Sequence, residues 1–351
     1  MKKIFLIAAS AMMVLASCTK VVINYPEDAQ PQEIAMFAVN KGMTKAPVST
    51  FPNDYNMMVA AYQIAGTEGN TAGEYFNQKL FAKQTAVGAT TWTGGQYWPI
   101  SAATINFFAV APEVAAAGVG GTAPVATTIK PYDATEGKVA TTTVKSNSVN
   151  QYDVMYALAQ GAYAGNGTYD DVDMTFNHAL SWIHFKVKNG TTGASAPQIV
   201  VNSITLNKVY FDGTATITAN NYTAGSPAID ATAVSWTADG TPETTVALPE
   251  ESANYTLTLN SNYVQFANDG LLVIPHDYTN DNSKPSFTIN YTVTQDNKSF
   301  TYDYTYTFTN GVKWDVGKKY VYKVSITLKE IEVKPEVGTW GDDNETTVDA
   351  Q

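Results

Sequence analysis

The strongest constraint on this chain is a run of alternation near its carboxyl end. Phe287, Ile289, Tyr291 and Val293 stand two residues apart, and after Gln295-Asp296-Asn297-Lys298 the pattern resumes with Phe300, Tyr302, Tyr304, Tyr306 and Phe308. A period of two places each set on one face of an extended strand. The polar break between them reads as the turn of a long hairpin with one apolar and one hydroxylated face. Tyr320, Tyr322, Val324, Ile326 and Leu328 repeat the pattern after a turn at Asp315-Val316-Gly317. Residues 105–110, 183–187, 204–211, 255–259 and 271–274 read as further strands, and no segment in this stretch shows a long 3.6-residue period with caps. Facing antiparallel sheets are the natural way to bury such faces. Roughly 300 residues outside the amino-terminal segment exceed one ordinary core. An all-β chain of two antiparallel β-sandwich domains is therefore expected, 46–190 and 191–351, dividing near the linker-like stretch 190–197. The Gly/Ala-rich span 111–125 is a rival boundary, though its neighbours mark it as an inserted loop.

The amino terminus is of another kind. Lys2 and Lys3 precede an apolar run, residues 4–14, that is shorter than the ~20 residues a membrane-crossing helix needs. This is the layout of a secretory signal peptide, 1–17. Leu15-Ala16-Ser17-Cys18 ends it, and Cys18 is the only cysteine of the chain. The tetrapeptide resembles the lipobox of bacterial lipoproteins, in which the thiol takes a diacylglyceryl group, the signal is cut before the cysteine and the new amino terminus is acylated. More than one acyl chain at one point holds a protein stably to a membrane. A structural cysteine that happens to end a signal peptide is the alternative reading. A lone thiol forms no internal disulfide and no multi-cysteine metal site.

The remaining chemistry excludes several classes. The formal net charge is −11 and every basic residue is a lysine, which makes a poor nucleic-acid surface. His178, His184 and His276 have no metal-ligand spacing. The first two lie in one strand-like stretch, where a bulge between Leu180 and Ile183 is needed to keep both apolar sets inward. Gly94-Gly95 and the glycines of 118–121 are not followed by a helix start, so neither reads as a phosphate loop. A calcium site at Asp170, Asp171 and Asp173 is the weaker reading of a solvated turn, because it lacks a distant bidentate glutamate. No catalytic residue, metal or cofactor is expected.

Several fragments occur in a fixed order: Thr44-Lys45-Ala46; Phe51-Pro52; Met58-Val59-Ala60-Ala61-Tyr62; Trp92 with Tyr97-Trp98-Pro99; Phe107-Phe108-Ala109; Asp153-Val154-Met155-Tyr156-Ala157; Phe176-Asn177-His178-Ala179-Leu180; and Trp314-Asp315-Val316-Gly317 with Tyr320 and Tyr322. Together they resemble the fimbrillins of Bacteroidota, subunits of lipoprotein-derived pili. The resemblance implies two tandem transthyretin-like β-sandwich domains and a structural, non-enzymatic role at the outer membrane and in a surface fimbrium that serves adhesion. It also implies maturation. A trypsin-like surface protease removes the lipidated end with the first β-strand, and a strand from another subunit's carboxyl end fills the groove. Partners are then other fimbrillin subunits, the protease and, through the lipid on the precursor, the outer membrane.

The residues fit that scheme. Ile34, Met36 and Ala38 form a short first strand after the polar spacer 26–32. The breaker-rich loop 40–47 is open to a protease, with cleavage between Lys45 and Ala46 and Lys41 as a second candidate; family members with arginine at that place differ here. Residues 18–45 are then a removable leader. Ile331, Val333, Val337 and Trp340 are the donor candidates. Apolar parity shifts from even to odd positions beyond Leu328, so the ladder bulges or ends near Lys329-Glu330. An ordinary last strand packed on its own domain is the alternative. A surface lipoprotein that binds glycans through Trp92, Tyr97 and Trp98 is the rival function, and a tip or anchor subunit is the variant within the family.

Overall fold

The computed structural model describes residues 32–40, 51–52, 55–64, 72–84, 90–99, 101–113, 128–129, 138–139, 142–146, 153–164, 169, 172–191, 193, 196–220, 232–238, 242, 246–247, 257–282, 284–327, 331–339 and 346–347. Apart from one 3-10 turn, Tyr278–Asn280, the regular structure there is all β.

The first half contains β1 (Glu33–Asn40), β2 (Asn56–Ile64), β3 (Gly73–Lys83), β4 (Thr91–Tyr97) and β5 (Ala103–Glu113). Three short strands follow, β6 (Thr128–Ile129), β7 (Lys138–Val139) and β8 (Thr142–Ser146), and then β9 (Met155–Tyr163) and β10 (Val172–His178). Strands 1 to 5, 9 and 10 close into a barrel in the order β1-β10-β9-β5-β2-β3-β4. A two-sheet sandwich is the expectation from sequence. The sheets are instead joined at both edges, because β1 pairs with β10 on one side and β4 on the other. The barrel is filled by Ile34, Met36, Phe51, Phe81, Trp92, Trp98, Phe107 and Phe176, all buried.

The second half contains β11 (Ser181–Asn189), β12 (Gln198–Asn207), β13 (Gly213–Asn220), β14 (Thr232–Ala238), β15 (Val246–Ala247), β16 (Leu257–Thr258), β17 (Val264–Val273) and β18 (His276–Asp277). It continues with β19 (Ser286–Gln295), β20 (Lys298–Thr307), β21 (Lys313–Trp314), β22 (Lys318–Ile326), β23 (Ile331–Thr339) and β24 (Thr346–Thr347). Sheets β17-β11-β22-β23-β24 and β15-β12-β19-β20 share one core, from Ile183, Phe185 and Tyr322 on one side to Ile204, Phe287 and Ile289 on the other. This is a sandwich. A smaller sheet, β14-β13-β8-β6, joins strands of both halves. Its Ala215, Ile217 and Ala219 share a third core with Tyr62, Phe108 and Tyr156 of the barrel strands and with Trp182 and Leu272.

Two sequence expectations change in this frame. The stretch 190–197 does not divide the chain into bodies. Asn189 Nδ2 donates to Pro197 O at 2.8 Å, and the amide of Gly190 donates to Ile326 O at 2.7 Å, so both ends of that stretch are bound within the sandwich. The chain passes from barrel to sandwich at Ala179-Leu180, because β11 is an inner strand of the second body, parallel to β22. His178 and His184 therefore belong to two strands of two sheets, and the register shift falls between Ile183 and Phe185. The hairpin of β19 and β20 forms as expected, turning on Asp296 and Asn297 at φ 52° and 61°. Its second strand lies at the sheet edge, however, so Phe300 and Tyr302 stand 56% and 48% exposed on the face shared with the buried Phe287 and Ile289.

Candidate functional site

The residues upstream of the barrel supply one of its staves. Met36, Phe37 and Ala38 of β1 pair in parallel with Val172, Asp173 and Met174 of β10. Ala35, Met36 and Phe37 pair antiparallel with Thr93, Trp92 and Thr91 of β4. Ile34 and Met36 are fully buried, and Ala38 packs against the same core from a half-buried position. Alternation thus puts the three expected residues inward. Two fully buried side chains contribute roughly 3 to 6 kcal/mol, and the ladders on both sides add to that. Withdrawal of β1 leaves unpaired amides and carbonyls on β4 and β10, each costly to leave unmet.

The entrance to this slot has a polar fastening that sequence reasoning missed. Glu33 lies opposite Tyr97 and Ala35 opposite Thr93, so β4 carries two extra residues there as a bulge. Gly94 and Gly95 sit in it. The Gly95 amide, at φ 64°, donates to Glu33 Oε1 at 2.9 Å, and the Trp98 amide donates to Gln32 O at 2.8 Å. A Cβ on Gly94 would lie 2.6 Å from Leu80 O and 2.8 Å from the Phe81 ring. Paired glycines inside a strand pattern are the signal for such a bulge.

The opposite end of the chain packs on its own body. β23 pairs along its whole length with β22, Ile326 opposite Ile331 and Lys318 opposite Thr339. The parity shift is thus the reversal of a hairpin. Ile331, Val333 and Val337 are partly buried against the sandwich core. Val333, Pro335 and Val337 also line a groove of about 260 Å³ with Tyr306, Phe308 and Tyr322. On the other face Glu336 is buried and paired with Lys323, and its Oε2 has no hydrogen-bond partner.

Where the chain enters the sandwich, the fragment Trp314-Asp315-Val316-Gly317 forms a clasp. Trp314 Nε1 donates to Tyr322 Oη at 2.8 Å, and the Asp315 amide donates to Tyr320 Oη at 2.7 Å. Ser181 Oγ donates to Asp315 O, and the Gly317 amide to Leu180 O. Burial pushes the Tyr320 hydroxyl up to about 12 and raises that of Tyr322 as well, since a phenolate there would lose its water.

The other sequence candidates are dispersed. His178 Nδ1 lies 2.7 Å from Asp153 Oδ2, His276 Nε2 lies 2.9 Å from Asp281 Oδ2, and His184 stacks edge-on against Trp182. Among the described residues no group of three or more His, Cys, Asp or Glu is placed to hold a metal. Trp92 and Trp98 are buried in the barrel, and only Tyr97 of that trio is exposed. Cys18, Lys41, Lys45, Ala46, Asp170, Asp171 and Trp340 lie outside the described residues.

A barrel completed by the chain's own first strand, joined to a sandwich whose last long strand is a hairpin arm, defines a class of all-β proteins built by strand pairing. The chain belongs to the fimbrillin-like family, whose model matches residues 44–340. This is a family of structural fimbrial subunits of the cell surface, not of enzymes. A solved fimbrial protein from Bacteroides vulgatus has 16% sequence identity and a TM-score of 0.56, over 87% of this chain and 99% of that one. A fimbrial assembly protein from Parabacteroides distasonis has 13% identity and a TM-score of 0.37, over 91% and 100%. No curated protein matches the chain.

Proposed function

We propose that this chain is a stalk-type pilus subunit, exported as a lipoprotein on Cys18 and matured by removal of its first strand. The tail of another subunit then completes its barrel. The observation that carries the reading is β1, a complete stave near the amino end of the chain, paired on both sides and preceding the lysine-bearing stretch 41–45. One cut between Lys45 and Ala46, or after Lys41, frees the stave from the rest of the barrel. The open slot then exposes two sheet edges and an apolar floor, the ideal receiver for an extended segment. The segment that fills it comes from the carboxyl-terminal tail of a neighbour, whose apolar donor candidates are Ile331, Val333, Val337 and Trp340. Barrel and sandwich correspond in this reading to the two transthyretin-like domains of the fimbrillin fold, the first closed by its own leader.

The glycan-binding alternative draws nothing from Trp92 and Trp98, whose indoles are enclosed in the barrel. A tip or anchor role differs from the stalk role in processing. The deciding experiment is the amino-terminal sequence and oligomeric state of protein shed from cells. A stalk subunit begins at Ala46 or Gly42 and is polymeric. Replacing Lys41 and Lys45 together with Gln keeps β1 in place and yields a folded, lipid-bound monomer; normal fibres from that variant refute the cleavage step. Cys18→Ser leaves uncut precursor away from the outer membrane, and normal processing of that variant refutes the lipoprotein route.

A further inference from the structure

The tail repeats the chemistry of the strand it would replace. Glu33-Ile34-Ala35-Met36-Phe37 has a counterpart in Glu336-Val337-Gly338-Thr339-Trp340: glutamate, aliphatic, small, one intervening residue, aromatic. Resting on the strand-donation reading, we propose that Glu336 sets the register of the incoming tail. It leaves Lys323 in its own sheet and takes the place of Glu33 on the Gly95 amide of the neighbouring subunit, the tail running in the direction of β1.

The position-by-position fit supports this register. At residue 32, among the described residues, the slot uses a backbone carbonyl, which accepts from the Trp98 amide. Pro335 falls there, and proline keeps its carbonyl while lacking the N–H. Glu336 then brings a carboxylate to the bulge where Glu33 Oε1 accepts from Gly95. Val337 enters the pocket of Ile34 one methylene smaller, Gly338 lies opposite Thr93 as Ala35 does, Thr339 takes the buried place of Met36 with a smaller side chain, and Trp340 falls on the half-buried outer position of Phe37.

The tail has two other pairs of glutamate followed by an aliphatic residue, and each fits worse. With Glu332 in the place of Glu33, Pro335 replaces Met36, which has ladder partners on both sides, Trp92 and Val172. With Glu330 there, Ile331 and Val333 meet the places of Ile34 and Met36, but only residues 327–328 remain between the end of β22 and the neighbour's barrel, about 7 Å of extended chain. The Glu336 register leaves residues 327–334, roughly 26 Å. Glu336 is also held incompletely in its own body, paired with Lys323 through one oxygen while the other has no partner. The same carboxylate thus acts as a catch on its own sheet and a key in the next.

The test uses fibres sheared from cells that express the full chain. Thr93→Cys is combined in turn with Gly338→Cys, Lys334→Cys and Glu332→Cys, the three residues that the Glu336, Glu332 and Glu330 registers place opposite position 93. A ladder of disulfide-linked subunits from the Gly338 pairing alone is expected. A ladder from the Lys334 or Glu332 pairing overturns the register and leaves strand donation standing. Fibres without an inter-subunit disulfide from any of the three overturn donation and the register with it. Should the cysteine variants fail to assemble, Glu336→Ala and Glu336→Gln decide. The alanine variant loosens the tail from its own sheet yet slows assembly about tenfold, the scale of a lost hydrogen bond to a charged group, and the glutamine variant recovers most of that rate. Assembly by Glu336→Ala as fast as the parent chain overturns the proposal.

Discussion

The bulge in β4 shows how much one side chain can decide. Gly94 has the Leu80 carbonyl and the Phe81 ring within 3 Å of where a Cβ would stand. A methyl group cannot be absorbed there without moving backbone, and overpacking of this kind costs about 1 to 3 kcal/mol. Gly94→Ala should therefore lower the melting temperature of the precursor, and a melt unchanged within error would show that β4 shifts freely. Tyr320 makes a second prediction. Its hydroxyl has the raised value of about 12 against an ordinary 10.0, so the stabilisation linked to its neutral form is complete below about pH 10. That stabilisation is lost as pH rises from there towards 12, where the unfolded chain has already released its proton. Tyr320→Phe removes the acceptor for the Asp315 amide and should cost about 1 kcal/mol at neutral pH, while making the alkaline loss shallower. Denaturant titrations at pH 8 and pH 11 check both effects; an equally steep alkaline loss in the variant would assign it to other tyrosines.

At the level of elements, β23 is the strand whose place changes the expectation. The alternation of Ile331, Val333 and Val337 is equally that of a donor and of a resident strand, and the resident packing against the sandwich core is what the monomer has. Deleting residues 336–351 removes Val337 from that core. The half-buried side chain is worth at most about 1.5 to 3 kcal/mol, so the monomer should melt a few degrees lower and still fold; wholesale unfolding would make this end indispensable to its own body and unfit for donation. The same strand explains what was legible in advance. Period-two patterning identified β1, the β19–β20 hairpin and β22 with their inward faces, because it depends only on which side each residue takes. It could not reveal that β20 lies at an edge with Phe300 and Tyr302 uncovered, nor that β1 and β11 each pair in parallel with a strand more than a hundred residues away. Those facts belong to sheet order. The Glu33–Gly95 contact is hidden in the sequence for a related reason: the glycine pair carries no sign of its partner, which lies sixty-two residues upstream.

For the whole molecule, the two ends of the chain act on different copies in the proposed fibre, so the contact is head-to-tail and does not close on itself. This polarity is testable with two disabled subunits. The chain with Lys41→Gln and Lys45→Gln keeps its own β1, so its barrel is filled and it can donate but not receive. A chain cut normally but ending at Pro335 has an open barrel and lacks Glu336 and Val337, so it can receive but not donate. Each alone should remain monomeric. Mixed, they should form a one-to-one dimer and nothing longer, because the donor's barrel is closed and the receiver has no tail to pass on. Native mass spectrometry reads this directly. Longer chains in the mixture, or dimers formed by either variant alone, would mean that subunits meet through some other surface, and the exposed aromatic edge at Phe300 and Tyr302 is where that search should begin.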